Sequence, residues 1–245
     1  MIRVENLTYR YEPEAPDVLR GISLAIAEGA HTALIGPNGC GKTTLIRHFN
    51  ALLLPVAGAV WVDGMKTSDA AGLREIRRLV GMVFQNPDSQ IVGMTVEEDV
   101  AFGPGNLGLP SAEIRRRVDD CLRAVGMAGL EKRHTHTLSG GEKRLLSLAG
   151  VLAMNPRYIA LDEPTAYLDP AAKQRVLEII RRLPGEGIAL IHIAHDMRDV
   201  AGADRVLVMD QGRLLLAGTP AEVFGNAELL ASVGLDVPSG VGLKK

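Results

Sequence analysis

The stretch Gly36-Pro37-Asn38-Gly39-Cys40-Gly41-Lys42-Thr43 limits what this chain can fold into more than any other. It satisfies the P-loop pattern G-x-x-x-x-G-K-[ST] at every required position. Glycines at 36, 39 and 41 permit dihedrals and close approaches that a side chain would block. Successive backbone N–H groups then point into one concavity, and the following helix adds the positive end of its dipole. Lys42 supplies a point charge for β- and γ-phosphates, and the Thr43 hydroxyl, with Thr44 beside it at the helix start, is placed to ligate Mg²⁺. The flanks agree: His31-Thr32-Ala33-Leu34-Ile35 reads as a short buried strand, and Thr44 to Phe49 as the start of a helix. The expected ligand is a nucleoside triphosphate.

The rest of the chain is consistent with a parallel-sheet fold around that loop. Residues 1–27 read as strands, with apolar residues alternating from Ile2 to Tyr11 and again at Ile22, Leu24 and Ile26 around a Pro-rich turn. Val60-Trp61-Val62 is a strand closed by Asp63-Gly64. Leu79 to Phe84 and Tyr158 to Leu161 are nearly continuous apolar runs suited to buried parallel strands, as is Ile188 to Ile193. Arg205 to Ala217 reads as a hairpin around Asp210-Gln211-Gly212. Between about 86 and 155 the pattern is helical. Thr95-Val96-Glu97-Glu98 has capping-box spacing and opens a helix expected to end at Phe102, with Gly103-Pro104-Gly105-Asn106 as a loop. Ser111 to Val125 carries Ile114, Val118, Leu122 and Val125 on one face, with Gly126 after its end. Asp169 and Pro170 are placed as cap and first residue of a later helix.

Other stretches carry chemistry. Asp162-Glu163 follows an apolar strand, and ligands of open α/β sheets bind beyond the carboxyl ends of the strands. Asp162 suits a Mg²⁺ contact, and Glu163 suits positioning or deprotonating a water. Gln85 and His195 also end buried runs and reach the same rim. Leu138-Ser139-Gly140-Gly141-Glu142 opens a helix with Ser139 as N-cap and bare first-turn N–H groups, a second anion-binding end. Two such ends in one chain make sense if two chains pair head-to-tail with a nucleotide between them.

Bulk properties narrow the class. At 245 residues, 47% hydrophobic, the chain is long enough for one α/β domain. No apolar run reaches the roughly 18 residues of a membrane span, and the N-terminus lacks a signal-peptide pattern. A formal charge of −2 gives no footprint for nucleic acid. Arg77-Arg78, Arg115-Arg116-Arg117 and Arg181-Arg182 read as solvated helix faces. Cys40 and Cys121 make no metal spacing, which suits a reducing cytosol. Cys40, at a helix start, is expected to have a lowered pKa and to react with thiol reagents, with ATP protecting it.

These residues, in this order, resemble the ATPase subunit of ABC transporters over about residues 1–225. The resemblance rests on the loop at 36–43, Gln85, Leu138 to Glu142, Ile159 to Glu163, Tyr167-Leu168-Asp169 and His195. It implies an α/β fold: a P-loop NTPase (RecA-like) parallel-sheet core with an antiparallel β subdomain and an inserted helical subdomain. The expected divisions are about 1–30 and 56–66 for the β subdomain, 29–85 and 156–217 for the core, 86–155 for the helical insertion, and 226–245 for a short tail with no regulatory domain after it. It also implies residue roles. Lys42 and Thr43 hold phosphate and Mg²⁺, Gln85 senses the metal and attacking water, and Asp162 supports Mg²⁺. Glu163 is the general base, and His195 contacts the γ-phosphate. Residues 36–44 cradle the ATP. Ser139, Gly140, Gly141 and Glu142 serve the ATP of the partner chain, and Asp169 lies at the dimer seam. An N-terminal aromatic stacks on adenine: Tyr11, with Tyr9 as the alternative.

Phe84 to Val92, Thr95 to Pro104 and Asn106 to Pro110 are similar, more narrowly, to the ATPases of energy-coupling-factor importers, including cobalt and nickel uptake ATPases. In that family this region receives the membrane subunit, so membrane-embedded subunits are expected near residues 86–110 of a protein peripheral to the cytoplasmic face of the cell membrane. The departures are Glu142 for Gln, Gly105 for Glu, and Tyr167 for a small residue. The implied activity is ATP hydrolysis driving uptake of a transition-metal ion or a vitamin, by a homodimer or a heterodimer with a second ATPase. The competing class is a soluble ABC-type ATPase acting on nucleic acid or ribosomes. That class needs a coiled-coil insertion or two ATPase halves, and neither is present.

Overall fold

Strands and helices are interspersed along the chain, and two sheets divide the strands between them. The first part holds β1 (Ile2–Tyr9), β2 (Leu19–Ile26), β3 (His31–Ile35), α1 (Lys42–Arg47), β4 (Ala57–Val62), β5 (Met65–Lys66), α2 (Leu73–Leu79) and β6 (Val80–Val83). Next come α3 (Val96–Asn106), α4 (Ser111–Ala124), α5 (Gly140–Ala153), β7 (Tyr158–Asp162) and α6 (Pro170–Arg182). The last elements are β8 (Ala189–Ile193), β9 (Arg205–Asp210), β10 (Arg213–Gly218), α7 (Pro220–Phe224) and α8 (Ala227–Ser232). This computed structural model describes residues 1–194, 196–200 and 202–235. His195 and residues 236–245 of the expected tail lie outside the described residues.

A four-stranded antiparallel sheet has the order β2-β1-β4-β5, and a six-stranded sheet the order β10-β9-β3-β8-β7-β6. In the larger sheet β9, β3, β8, β7 and β6 are mutually parallel and β10 is an antiparallel edge. The continuous apolar runs are explained by burial on both faces. On β7, Ala160 joins a core shared with β1, β4 and helix α1, while Ile159 and Leu161 face a second core formed with α3, α4, α5 and α6. A third core packs α7 and α8 on Ala33, Ile35, Val206 and Val208. The architecture is the expected one, a parallel core sheet carrying the P-loop, with an antiparallel sheet beside it and a helical insertion.

Three local expectations are corrected. The helix opened by Thr95 does not stop at Phe102. It runs through Pro104 to Asn106, because Leu107 N–H bonds Gly103 O at 3.2 Å and α5 clamps the turn: a Cβ at Gly103 would lie 2.4 Å from Met154 Sδ. A proline near a helix end costs one backbone bond, and tight helix packing there offsets it. The strand alternation does not extend to Tyr11, since β1 ends at Tyr9 and the chain bends before residue 12. The expected tail from 226 begins instead with α8, whose Leu230 is fully buried against the third core. The arginine clusters do lie on helix surfaces, where Arg78 pairs with Glu75 and Arg116 and Arg117 both pair with Glu113.

Candidate nucleotide site

Strand β3 ends at Ile35, and the next six residues turn the chain into α1 at Lys42. Gly36 makes that turn at φ +155°, and a Cβ there would lie 2.2 Å from the carbonyl oxygen of Met209 on β9. Only glycine fits so close to a neighbouring strand. Gly41 caps α1 in a left-handed conformation, φ +104°. The Lys42 side chain curls back under the loop, with Nζ donating to Gly36 O at 2.7 Å and to Pro37 O at 2.9 Å. It is 6% exposed, so a buried ammonium is held by two neutral carbonyls, with no carboxylate of the described residues paired to it. An anionic group placed in the loop would supply the missing charge.

A cleft of about 660 Å³ opens over this loop. Asn38, Gly39, Gly41, Lys42, Thr43 and Thr44 form one wall, Tyr11 and Val18 a second, and Gln85, Glu163, Ala166 and Tyr167 the third. Register explains the third wall, since parallel pairing of β6, β7 and β8 aligns the ends of three strands beside β3. Thr43 Oγ1 donates to Asp162 Oδ1 at 2.9 Å, and Gln85 Nε2 donates to Glu163 Oε2 at 2.7 Å. Asp162 is 2% exposed, and burial pushes its carboxyl above the ordinary range; the Thr43 bond opposes that shift, and Glu163 adds to it. A cation against this carboxylate would relieve that penalty, so the donor set Thr43, Asp162 and Gln85, all oxygen ligands, fits a hard divalent ion. Glu163 has φ +48°, an uncommon backbone for a non-glycine residue, immediately after the strand.

Tyr11 lies at the cleft and Tyr9 does not. Tyr11 Oη is 2.9 Å from Thr44 Oγ1, and its ring is half exposed. Tyr9 instead packs edge-on against His48, centroids 4.8 Å apart, and against Tyr11 at 5.1 Å. Cys40 corrects an expectation. Its side chain is 4% exposed beneath the loop, and burial raises its pKa despite the nearby Lys42 ammonium. Cys40 faces the core, so only its backbone is available to a ligand.

The Ser139 end of α5 is not part of this cleft. A reciprocal box closes it: Ser139 Oγ accepts from Glu142 N–H at 3.2 Å, and Glu142 Oε2 accepts from Ser139 N–H at 2.7 Å. Arg133 also bonds Glu142 at 2.6 Å, so the Glu142 carboxylate is spent on its own helix and held below the usual range, chiefly by the Ser139 amide. Gly141 packs on α6, where a Cβ would lie 2.7 Å from Ala172 Cβ, whereas Gly140 faces open space. Asp169 Oδ1 caps α6 by accepting from Ala171 and Ala172 N–H, each at 3.0 Å. The structure thus joins Lys42, Thr43, Gln85, Asp162, Glu163 and Tyr11, and leaves Ser139, Gly140, Gly141 and Glu142 outside the cleft, with Gly140 lining an adjoining hollow beside Gln85, Ala166 and Tyr167.

Sequence reasoning missed two ties around the cleft. Arg144 on α5 donates to the main-chain oxygens of Phe84 and Gln85, and Lys173 on α6 pairs with Asp196 at 3.1 Å and Asp199 at 3.0 Å. The sequence marks Arg144 only as a cation falling, four residues before Leu148, on the apolar side of α5, and nothing local points to its partners.

Comparison with known proteins agrees with this geometry. The family model described as "ABC transporter" matches residues 19–166. The chain is 53% identical over 243 residues to "Cobalt import ATP-binding protein CbiO" of Syntrophus aciditrophicus, covering 99% of this chain and 87% of that one. It is 51% identical over 242 residues to "Energy-coupling factor transporter ATP-binding protein EcfA1" of Caldanaerobacter subterraneus, covering 97% and 87%. Among solved structures it resembles CbiO1 of Clostridium perfringens, described as part of the ABC transporter complex cbiONQ, at 39% identity and TM-score 0.83 over 95% of this chain and 94% of that chain. It also resembles the dimeric ATP-binding cassette MJ0796 bound to ADP and Pi, at 27% identity and TM-score 0.80 over 89% and 98%. A complete phosphate loop facing the Asp162-Glu163 pair at the end of β7, together with matches spanning nearly the whole chain, places this protein in the ABC transporter family, as one of its ATP-binding and ATP-hydrolysing domains.

Proposed function

We propose that this chain powers an energy-coupling-factor-type importer for a transition-metal ion such as cobalt or nickel, or for a vitamin. It acts at the cytoplasmic face of the cell membrane, as a homodimer or paired with a second ATPase. The observation that carries this reading is the division of the anion-binding parts. One cleft holds Lys42, Thr43, Asp162, Gln85 and Glu163, while none of Ser139, Gly140, Gly141 and Glu142 lines it. Two chains placed head-to-tail put each Ser139 end over the other chain's cleft.

Within that dimer each residue has a task. The backbone of residues 36–41 cradles the phosphates of ATP, and Lys42 exchanges its two carbonyl partners for phosphate oxygens. Tyr11 stacks on adenine. Thr43, Asp162 and Gln85 hold Mg²⁺, which when bound neutralises charge on the transferred phosphoryl group. Glu163 orients the attacking water and takes its proton, and its 2.7 Å bond to Gln85 holds the two side chains together. His195 completes the γ-phosphate contacts. Gly140 and Gly141 offer N–H groups, and Ser139 its hydroxyl proton, to the partner's ATP, with Glu142, bonded to the Ser139 N–H, as the strut that keeps the turn in shape. The membrane subunits dock near residues 86–110, where Val92, Met94 and Phe102 are 59%, 72% and 53% exposed. Among the described residues no helix is long and apolar enough to cross a membrane. The alternative, a soluble ATPase on nucleic acid or ribosomes, is not favoured by the importer names of the relatives or by the net charge of −2.

Glu163→Gln tests this reading. The variant is expected to bind Mg-ATP normally, to turn over at least about 100-fold more slowly, and to accumulate as a dimer in light scattering when ATP is present. Hydrolysis at the wild-type rate would remove Glu163 as base.

A further inference from the structure

Arg144 is 1% exposed, and its guanidinium is spent on main-chain oxygens. Nη1 donates to Phe84 O, Nη2 donates to Gln85 O at 2.6 Å, and Nε has no partner. Among the described residues it forms no ion pair, and Asp162 is the one charge that favours its ionised form against burial. A buried cation without a paired anion is a poor way to fill a core, because an apolar side chain of similar volume serves as well or better. What the guanidinium fork supplies is geometry: two donors at fixed spacing gripping two consecutive peptide carbonyls.

Those carbonyls belong to the residue in the cleft and the one before it. Gln85 sends its side chain to Glu163 at 2.7 Å, so a continuous chain of bonds runs from α5 through Arg144, the Gln85 main chain and the Gln85 amide to Glu163. A second tie parallels it, since Lys143, one residue earlier on α5, pairs with Asp88 at 2.6 Å. The N-terminal end of α5 is Ser139, five residues or about one and a half helical turns before Arg144. A helix is stiff over that distance, so a shift of its first turn is a shift of Arg144.

We propose that Arg144 is a positioning residue for hydrolysis: it fixes the 84–85 main chain to α5, so that capture of a nucleotide at the Ser139 end of a chain sets Gln85 and Glu163 in that same chain's cleft. The assignment rests on the reading that the Ser139 end meets the ATP of a second chain. It makes the two ATP sites of a dimer dependent on each other through a single buried side chain in each protomer.

A double-mutant cycle in the full-length chain tests it. Arg144→Met removes the fork at matched length, Arg144→Lys keeps the charge but not the fork, and Gln85→Ala removes the end of the relay. Each single variant is expected to lower kcat for Mg-ATP by about tenfold, with binding of a fluorescent ATP analogue within about threefold of wild type. The Hill coefficient of Arg144→Met and Arg144→Lys for ATP is expected to fall toward one. Combining Arg144→Met with Gln85→Ala should then cost no more than the worse single change. Multiplied losses, unchanged kcat and Hill coefficient, or failure of both Arg144 variants to fold would each overturn the proposal and leave Arg144 a core residue. The underlying dimer reading fails by a different result, a wild-type rate per chain that does not change as the chain is diluted.

Discussion

Replacing His192 by leucine is expected to remove much of this protein's sensitivity to acid. His192 lies on β8, fully buried, and stacks on His31 of β3 with ring centroids 5.7 Å apart and planes 13° from parallel. Among the described residues neither of its ring nitrogens has a partner, nor does Nε2 of His31. Burial, with His31 and Lys173 adding to it, holds the His192 imidazole down to about 3. His31 is lowered by burial as well, with Asp204 opposing. An imidazole depressed in this way is neutral in the native state. Its contribution is therefore fully present above the unfolded pKa of about 6.5 and is lost as pH falls from there toward the folded value. Over that window His192 alone costs about 1.4 kcal/mol per pH unit, so at roughly pH 4.5 the loss is on the order of 3 kcal/mol. Leucine has nothing to protonate and leaves no ring nitrogen unpartnered, which keeps its stability near wild type at neutral pH. Urea unfolding of both proteins at about pH 7 and pH 4.5 measures the difference. Wild type should lose on the order of 3 kcal/mol more than His192→Leu on acidification. Equal losses would mean that His192 is protonated or solvated in the native fold, and would refute the reasoning.

Two further outcomes follow from the cleft. Tyr11→Ala should weaken ATP-analogue binding by the ~1–3 kcal/mol of an aromatic–base stack with little change in Tm, whereas Tyr9→Ala should lower Tm with a smaller effect on binding; the reverse pattern would assign the base to Tyr9. Cys40, buried with a raised pKa, should resist iodoacetamide in the native protein with or without Mg-ATP and label only on unfolding, read by mass spectrometry. Rapid native labelling blocked by ATP would show an exposed thiolate instead.

The sequence makes the site's own-chain parts legible because strand ends announce them. Lys42, Gln85 and Asp162-Glu163 each follow an apolar run, and parallel register alone brings such ends together. Capping chemistry is equally local, which is why Ser139, Asp169 and Thr95 cap helices where their residue types and spacing indicate. What depends on tertiary packing is not legible. Pro104 reads as a helix stop, yet Gly103 packs so tightly on Met154 that α3 continues through it. Cys40 sits at a helix start, where a thiol pKa ordinarily falls, but its side chain points into the core and burial outweighs Lys42. Tyr9 and Tyr11 alternate in sequence, and only the end of β1 separates them. Arg144 draws its meaning from two carbonyls about 60 residues upstream, at sequence separations of 60 and 59, which no local pattern reveals.

The central claim is that each cleft is completed by the Ser139 end of another chain, and mixing two inactive variants tests it most directly. Lys42→Ala lacks a working cleft but keeps its Ser139 end, and Ser139→Arg keeps its cleft but blocks that end. Neither should hydrolyse ATP alone. Mixed in equal amounts, half of the dimers are hybrids carrying one complete site of two, so the mixture should recover about a quarter of wild-type activity per chain if the sites act independently. It should recover about a tenth of that if Arg144 couples them, because the complete cleft belongs to the chain whose own Ser139 end is blocked. A mixture as inactive as its parents, or a Ser139→Arg chain that hydrolyses ATP at the wild-type rate by itself, would contradict the shared site.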